Sequence, residues 1–529
     1  MGALRSLVRD GRFVGIGLAL SLSSSCALWV EFEPRPDAGG SGGVGGVAGA
    51  STGASGGEGG VGNVGGQGGS AGGAGGASCE PTTPVGIVFE DADVAIEGMA
   101  VDGNVAWLAI IYDSATGLSA RTVPSGDCSE PIIAGANAGR SSALVRVDLT
   151  SYKVTGWLPA AAVAPVDPTL ADIDVDVKGG RLAVAATYEQ GEVFGQAATG
   201  NGLAFSSFDL TDLASPAADG SLELPKPAVT CDGATTPIAV GVHGQNFALA
   251  AVWDDTMGAL SCAACLPIDT DGADLVLFQI GPSGLCLGLP GDLRHDPRVA
   301  TRPKISMPSD AEAIVGFVSS NTRIGEIVHA TYVTPNSPVT IAHDTDYVLY
   351  ETGQQPTDVA VAATETHAIS FGSYVSSSGA RHLNTRDTAG GNFTTDDLDT
   401  TGDVIVYGAA PAGATGARFF AAGAIDEADS VSTALALTTP IPAEPTGDDC
   451  ATEDPAIACP DAFWVEFDAD ANSGVSGERW THAGAQRILE VERASGGVVV
   501  AGDFVGGLSI GDEEVATSSS GAFIALRPH

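Results

Sequence analysis

The stretch DIDVDVKGGRLAVAA, residues 172–186, decides the fold. Ile173, Val175 and Val177 alternate with Asp172, Asp174 and Asp176, and a period of two is the signature of a β-strand with one apolar face. Gly179-Gly180 then supplies the two residues of a tight hairpin turn, which needs positive φ at both positions. Leu182, Val184 and Ala186 resume the alternation, so the fifteen-residue stretch reads as strand, turn, strand.

The same half-repeat recurs along the chain as GMAVDGNVAWLAII from Gly98, IAVGVHGQNFALAAV from Ile238, ISMPSDAEAIVGFV from Ile305, DVAVAATETHAISFG from Asp358, DLDTTGDVIVYG from Asp397 and ILEVERASGGVVVAGDF from Ile488, giving seven copies. A further, outer strand follows several of them: SALVRVDLT near Leu144, GLAFSSFDLTD near Phe205, ADLVLFQIGPSG near Leu275, AFWVEFDADANSG near Trp464 and the terminal AFIALRPH. Helical periodicity is almost absent. One such sheet cannot cover both its faces, whereas sheets stacked around an axis cover each other. The expectation is an all-β chain whose residues 79–529 form a β-propeller of about seven four-stranded blades, with tandem β-sandwiches as the alternative. Val85 to Phe89 is a candidate to add a strand to the final blade.

Residues Ala462 to Pro528 resemble the β-propeller repeat of bacterial surface proteins: AFWVEFDADANSG, then RW, HAG, ILEVERASGGVVVAGDF and GGLSIGDEEVATSSSGAFIALRP. The resemblance is good over this unit, recognisable near residues 236 to 286 and faint elsewhere, and Gly521-Ala522 stands where the pattern has an Asp. It implies a propeller and a cell-surface setting, and it carries no catalytic residues.

The N-terminus reads as an address. Arg5, Arg9 and Arg12 precede the apolar run Phe13 to Leu22, which is too short to span a bilayer as a helix and fits a secretory signal over residues 1–25. Ser23-Ser24-Ser25-Cys26 resembles the lipobox of bacterial lipoproteins, with Ser23 at minus three and Leu22 one position further back. That resemblance implies diacylation of Cys26 and, with Ala27 following it, an outer-membrane destination at the cell surface or periplasmic face; ordinary signal-peptidase cleavage is the alternative. Residues 26–78 form the lipidated N-terminus and a linker. Ala38 to Ala77 is roughly half glycine with only Glu58 charged, too poor in apolar side chains to fold. As a disordered tether its root-mean-square reach is on the order of 35 Å. Its Gly49-Ala50-Ser51-Thr52-Gly53 matches the hydrolase elbow formally but lacks the strand and helix that motif needs.

Sixty-five acidic residues against 23 basic, a net charge of −42, repel nucleic acid and favour solubility and cations, so no nucleic-acid partner is expected. The membrane is a partner through Cys26, and a protein or polysaccharide ligand is compatible with the rest. Nine cysteines become eight once Cys26 carries lipid, which suits disulfides in an oxidising compartment. Cys450 and Cys459 flank a short acidic loop and form the first candidate pair. Cys231, Cys262, Cys265 and Cys286 cluster in one region, and Cys79 and Cys128 are left over. A single Cys262-Ala-Ala-Cys265 is a weak zinc or redox signal without a second pair.

Three acidic clusters are candidates for cations. Asp269, Asp271 and Asp274 resemble a shortened calcium loop of integrin-type propellers, although the repeat frame also explains them, and calcium is the one cofactor considered. Asp468, Asp470 and Asn472 begin like a calcium loop but have Ser473 where a glycine is needed. Asp172, Asp174 and Asp176 share one strand face and read as a solvated face or channel lining ahead of a site. His343, Asp344 and Asp346 crowd together in what reads as a surface loop. No metalloprotease, P-loop or dinucleotide motif occurs outside the tether, and no catalytic residue is assigned. An extracellular enzyme using the central funnel and a calcium-dependent adhesin remain alternatives to a non-catalytic module. Trp107, Trp253, Trp464 and Trp480 lie in or beside repeat strands, where blade packing explains them.

Overall fold

The computed structural model describes residues 85–528 except 91–93, 114, 124–129, 135–139, 163–171, 233–234, 255–260, 263–272, 283–290, 295–301, 320–323, 332–354, 376–380, 390–391, 394–397, 402–403, 427–434, 438–459, 481–483 and 511–512. Among the described residues every regular element is a β-strand apart from a single turn of 3-10 helix, Leu210–Asp212.

Antiparallel sheets follow one another along the chain. Blade 1 comprises Ala95–Asp102, Val105–Asp113, Arg140–Asp148 and Lys153–Ala162; blade 2, Ile173–Lys178, Arg181–Val193, Gln196–Asp209 and Val229–Asp232; blade 3, Thr235–His243, Asn246–Asp254, Ala273–Ile280 and Gly291–Arg294. Blade 4 has three described strands, Lys304–Ser309, Glu312–Ser319 and Ile324–Thr331. Blade 5 is Gln355–Ala363, His367–Val375, Arg381–Ala389 and Leu398–Thr401, and blade 6 is Val404–Pro411, Arg418–Asp426, Pro460–Asp468 and Ser473–Trp480. Blade 7 takes Ala485–Ala494, Gly497–Ile510 and Glu513–Arg527 from the C-terminus and Gly86–Glu90 from the N-terminus. The first strand of every blade touches the first strands of the blades before and after it, and blade 7 touches blade 1, so the ring closes.

The core has the same count. Seven apolar layers each lie between two consecutive blades. Phe205 of blade 2 meets Phe247 of blade 3 edge to face at 5.7 Å, and Trp480 of blade 6 lies 5.6 Å from Phe523 of blade 7. A sheet with an apolar layer on each side has no stable existence without both neighbours. Trp107, Trp464 and Trp480 are buried in these layers, as blade packing predicts. Closure comes from the N-terminal strand: Gly86–Glu90 pairs antiparallel with Gly521–Ala525, which makes the candidate strand at Val85 to Phe89 the fourth strand of blade 7.

Two readings of the repeat shift. DLDTTGDVIVYG is not an inner hairpin: Leu398–Thr401 is the outer strand of blade 5 and Val404–Pro411 the inner strand of blade 6. A Gly-Asp between two alternating runs looks the same whether it joins two strands of one blade or two blades. The strands near Leu144, Phe205, Leu275 and Trp464 are third strands, and except for blade 7 the fourth follows them in sequence.

The first turn of most blades is two or three residues, as at Gly179-Gly180 with φ of +63° and +77°, whereas the second connection is long in blades 1, 3 and 6, from Asp113 to Arg140, from Asp254 to Ala273 and from Asp426 to Pro460. Antiparallel geometry therefore gathers the long connections at the end of the ring where the inner strands begin. At this end, blades 1, 2 and 3 each reach back to the preceding blade. Gly117–Val123 and Glu130–Ala134, between the second and third strands of blade 1, extend the sheet of blade 7. Val193 of blade 2 pairs with Ala161 of blade 1, and Ser261–Cys262 of blade 3 pairs with Val229–Asp232 of blade 2.

Candidate functional site: a charged central channel

The inner strand of each blade hydrogen-bonds to its second strand and turns its other edge toward the axis, so alternate N–H groups on that edge lack a partner within the blade. Asp172, Asp174 and Asp176 answer this need between blades 2 and 3. Their Oδ2 atoms accept the backbone N–H groups of Ile238, Val240 and Val242 at 2.7, 2.7 and 2.6 Å. Both partners repeat every two residues, which is why an alternating Asp sequence fits an adjacent strand edge. Ile173, Val175 and Val177, on the opposite face, pack into the layer toward blade 1. Gly98 on the inner strand of blade 1 makes room: a Cβ there would collide with Asp174 Oδ1. Ser306 continues the pattern, its Oγ accepting the N–H of Ala363 from blade 4 to blade 5 at 3.0 Å.

Arg302, two residues ahead of the inner strand of blade 4, ties this ladder together. Its guanidinium makes ion pairs with Glu97 and Asp172, both at 2.8 Å, and donates to the carbonyls of Glu97, Ile173 and Ile238. One side chain thus links blade 4 to blades 1, 2 and 3. Lys304 Nζ meets Glu490 of blade 7 at 2.7 Å, and Lys178 Nζ of blade 2 donates to the Met307 carbonyl of blade 4 at 3.0 Å. Between these groups remains a cavity of about 290 Å³ lined by residues of all seven inner strands, including Asp174, Asp176, Lys304, Glu490 and Glu492.

Burial sets the protonation of the channel. It raises Asp174 to about 7, against the pull of Arg302 and the Val240 N–H, and raises Asp172 to about 6, with Arg302 opposing and Glu97 adding to the rise. Asp176 is raised by the same desolvation. Glu492 is pushed well above the ordinary carboxylate range by burial and then by Asp176 and Glu490. For Lys304, burial works against the charge but Glu490 outweighs it, and the amine is held above its usual value. Six carboxyls, Glu97, Asp172, Asp174, Asp176, Glu490 and Glu492, face four cations, Lys178, Arg302, Lys304 and Arg493. The excess negative charge is relieved by backbone N–H groups and by proton uptake.

The acidic face 172–176 is thus channel lining that fastens two blades. Asp468 accepts the Ala471 N–H within its turn and pairs with Arg418 at 3.0 Å, so it serves the turn and a neighbouring strand. Asp274 lies at the start of the third strand of blade 3, opposite Trp253. Asp269, Asp271, His343, Asp344 and Asp346 lie outside the described residues, as do residues 1–78, with Cys26, and Cys79, Cys128, Cys265, Cys286, Cys450 and Cys459. Cys231 and Cys262 are brought directly opposite each other on paired strands. Among the described residues no group of three or more His, Cys, Asp or Glu is placed to hold a metal ion.

Sequence reasoning missed Glu97, Arg302, Lys304, Glu490 and Glu492. In a chain with 23 basic residues, Arg302-Pro303-Lys304 directly before a half-repeat was a usable signal, and so was the Glu490, Glu492 alternation within ILEVERASGG.

No protein-family model matches the chain, and no curated protein sequence matches it. Among solved structures, similarity extends to the β-propeller domain of the trilobed protease from Pyrococcus furiosus, with 8% identity over 82% of this chain and 95% of that one and a TM-score of 0.38. That domain is described as having an open velcro topology. The phage phi92 endosialidase matches with 10% identity over 84% of this chain and 70% of that one, TM-score 0.37. The Hadza microbial sialidase Hz136 matches with 10% identity, 62% and 63% coverage and a TM-score of 0.34. Propeller architecture is common to sialidases, peptidases and glycoside hydrolases at this very low identity, and the assignment of this chain to the fold rests on its own strand pairing and closed ring.

Proposed function

We propose that the chain is an exported lipoprotein, acylated at Cys26 and held by the glycine-rich tether, which presents its propeller at the outer membrane as a non-catalytic module binding a protein or polysaccharide. The observation that carries this reading is the engagement of the channel's charged groups. Arg302 is saturated by two carboxylates and three carbonyls, and the Asp172, Asp174 and Asp176 carboxylates hold the edge of a neighbouring strand. A general acid or nucleophile needs a group able to exchange its partner for substrate, whereas these hold the ring. Binding then falls to the long connections gathered at one end, where variable loops on a rigid scaffold usually carry recognition.

Two measurements test the reading. Labelled palmitate should enter the full-length protein and be lost in Cys26→Ala, together with sedimentation in the membrane fraction; an unlabelled wild-type chain refutes the anchor. The purified lipoprotein in detergent should retain a polysaccharide or protein from cell-surface extracts without altering it. Turnover of model glycosides or peptides, abolished by substitutions in the channel, would replace the binding reading with the enzymatic one. A melting temperature that rises with calcium and falls in excess chelator would bring Asp269, Asp271 and Asp274 into the site.

A further inference from the structure

The pairing of Ser261–Cys262 with Val229–Asp232 joins two blades through a connection of the later one. Cys231 sits on the outer strand of blade 2, wholly buried, and does not stand as a free thiol. Cys262 sits midway along the connection from Asn246–Asp254 to Ala273–Ile280 of blade 3. Register sets the two opposite each other, Cys231 to Cys262 and Asp232 to Ser261. Residues directly opposite on antiparallel strands have Cα atoms about 4.5 to 5.5 Å apart, within the roughly 4.4 to 6.8 Å that a disulfide spans.

We propose that Cys231 and Cys262 form a disulfide that clasps the long connection of blade 3 to the outer strand of blade 2. The strand Ser261–Cys262 is two residues long, too short to hold a connection in place by hydrogen bonds alone. The covalent bond supplies that hold. It fixes the centre of this connection on the rim at the loop-bearing end of the ring. Two thiols lose two protons and two electrons as the Sγ–Sγ bond forms. The electrons pass to the disulfide of an exported thiol oxidoreductase, which is cleaved to two thiols. Only the oxidising setting is taken from the export reading; the choice of partners comes from the register.

Peptide mapping without reduction, on full-length protein recovered from the membrane fraction, tests the pairing. The expected result is one cross-linked species joining the peptides of Cys231 and Cys262. A bond from Cys231 to Cys265 or Cys286, or free thiols at Cys231 and Cys262 in protein that is nonetheless lipidated, overturns the clasp and leaves the anchor standing. Mild reduction should speed proteolysis within 255–272 at least tenfold while cleavage in other connections is unchanged. The Cys231→Ala/Cys262→Ala variant should show the same local sensitivity without reductant, with a melting temperature lower by a few degrees. Equal proteolysis with and without reductant refutes the role as a clasp.

Discussion

Asp174→Asn offers the sharpest test of the channel. Burial lifts the Asp174 carboxyl from the ordinary 3.8 to about 7, and its side chain is 15% exposed. A carboxyl with a raised value binds a proton more tightly folded than unfolded, so its contribution to stability is present at pH 4 and is lost as pH rises through about 7. Full titration corresponds to at most about 4 kcal/mol, and channel water lowers that ceiling. Asparagine keeps an oxygen for the Val240 N–H and carries no charge, so the variant does not lose this contribution. Chemical unfolding from pH 4 to 9 should give similar stabilities for both proteins at low pH and a variant more stable by about 2 to 4 kcal/mol at pH 8. Below about 6 both should still slope, because Asp172 titrates there. Parallel profiles, or an Asp174→Asn chain weaker at pH 8, would refute the reasoning.

Other positions test other ties. Arg302→Met leaves Glu97 and Asp172 buried without their cation and should cost about 3 to 5 kcal/mol at pH 8, measured by denaturant unfolding. Lys304→Met should destabilise more than Lys304→Met/Glu490→Leu, because removing both partners leaves no buried charge unpaired; a double-mutant cycle reads the difference. Phe89→Ala, in the strand that closes the ring and 0% exposed, should cost about 3 to 5 kcal/mol. Val88→Asp in the same strand should make the C-terminal strand Glu513–Arg527 sensitive to limited proteolysis before the rest of the ring.

How far the chain could be read depends on the range of the physics involved. The Asp172–Ala186 hairpin was legible because alternation and a Gly-Gly turn act over a few residues. The copy at Asp397 was misplaced because the same local signal fits a junction between blades. The acidic face at 172–176 was visible as a feature and opaque in purpose: its partners, Ile238, Val240 and Val242, lie 66 residues away in each case. Arg302 was harder still, since its role arises only where four blades converge.

The sequence by itself determined most of the strands, their turns and the sevenfold repetition, and marked Val85 to Phe89 as a candidate strand, since backbone pleat and turn geometry are written in neighbouring residues. The tertiary structure alone decided that the copies close into a ring, that Gly86–Glu90 completes the last blade, and that the channel's charges fasten strand edges. It also set Cys231 opposite Cys262. Those outcomes depend on which edge lies beside which, and edges meet only after the ring has closed and the apolar layers have fixed every blade against its neighbours.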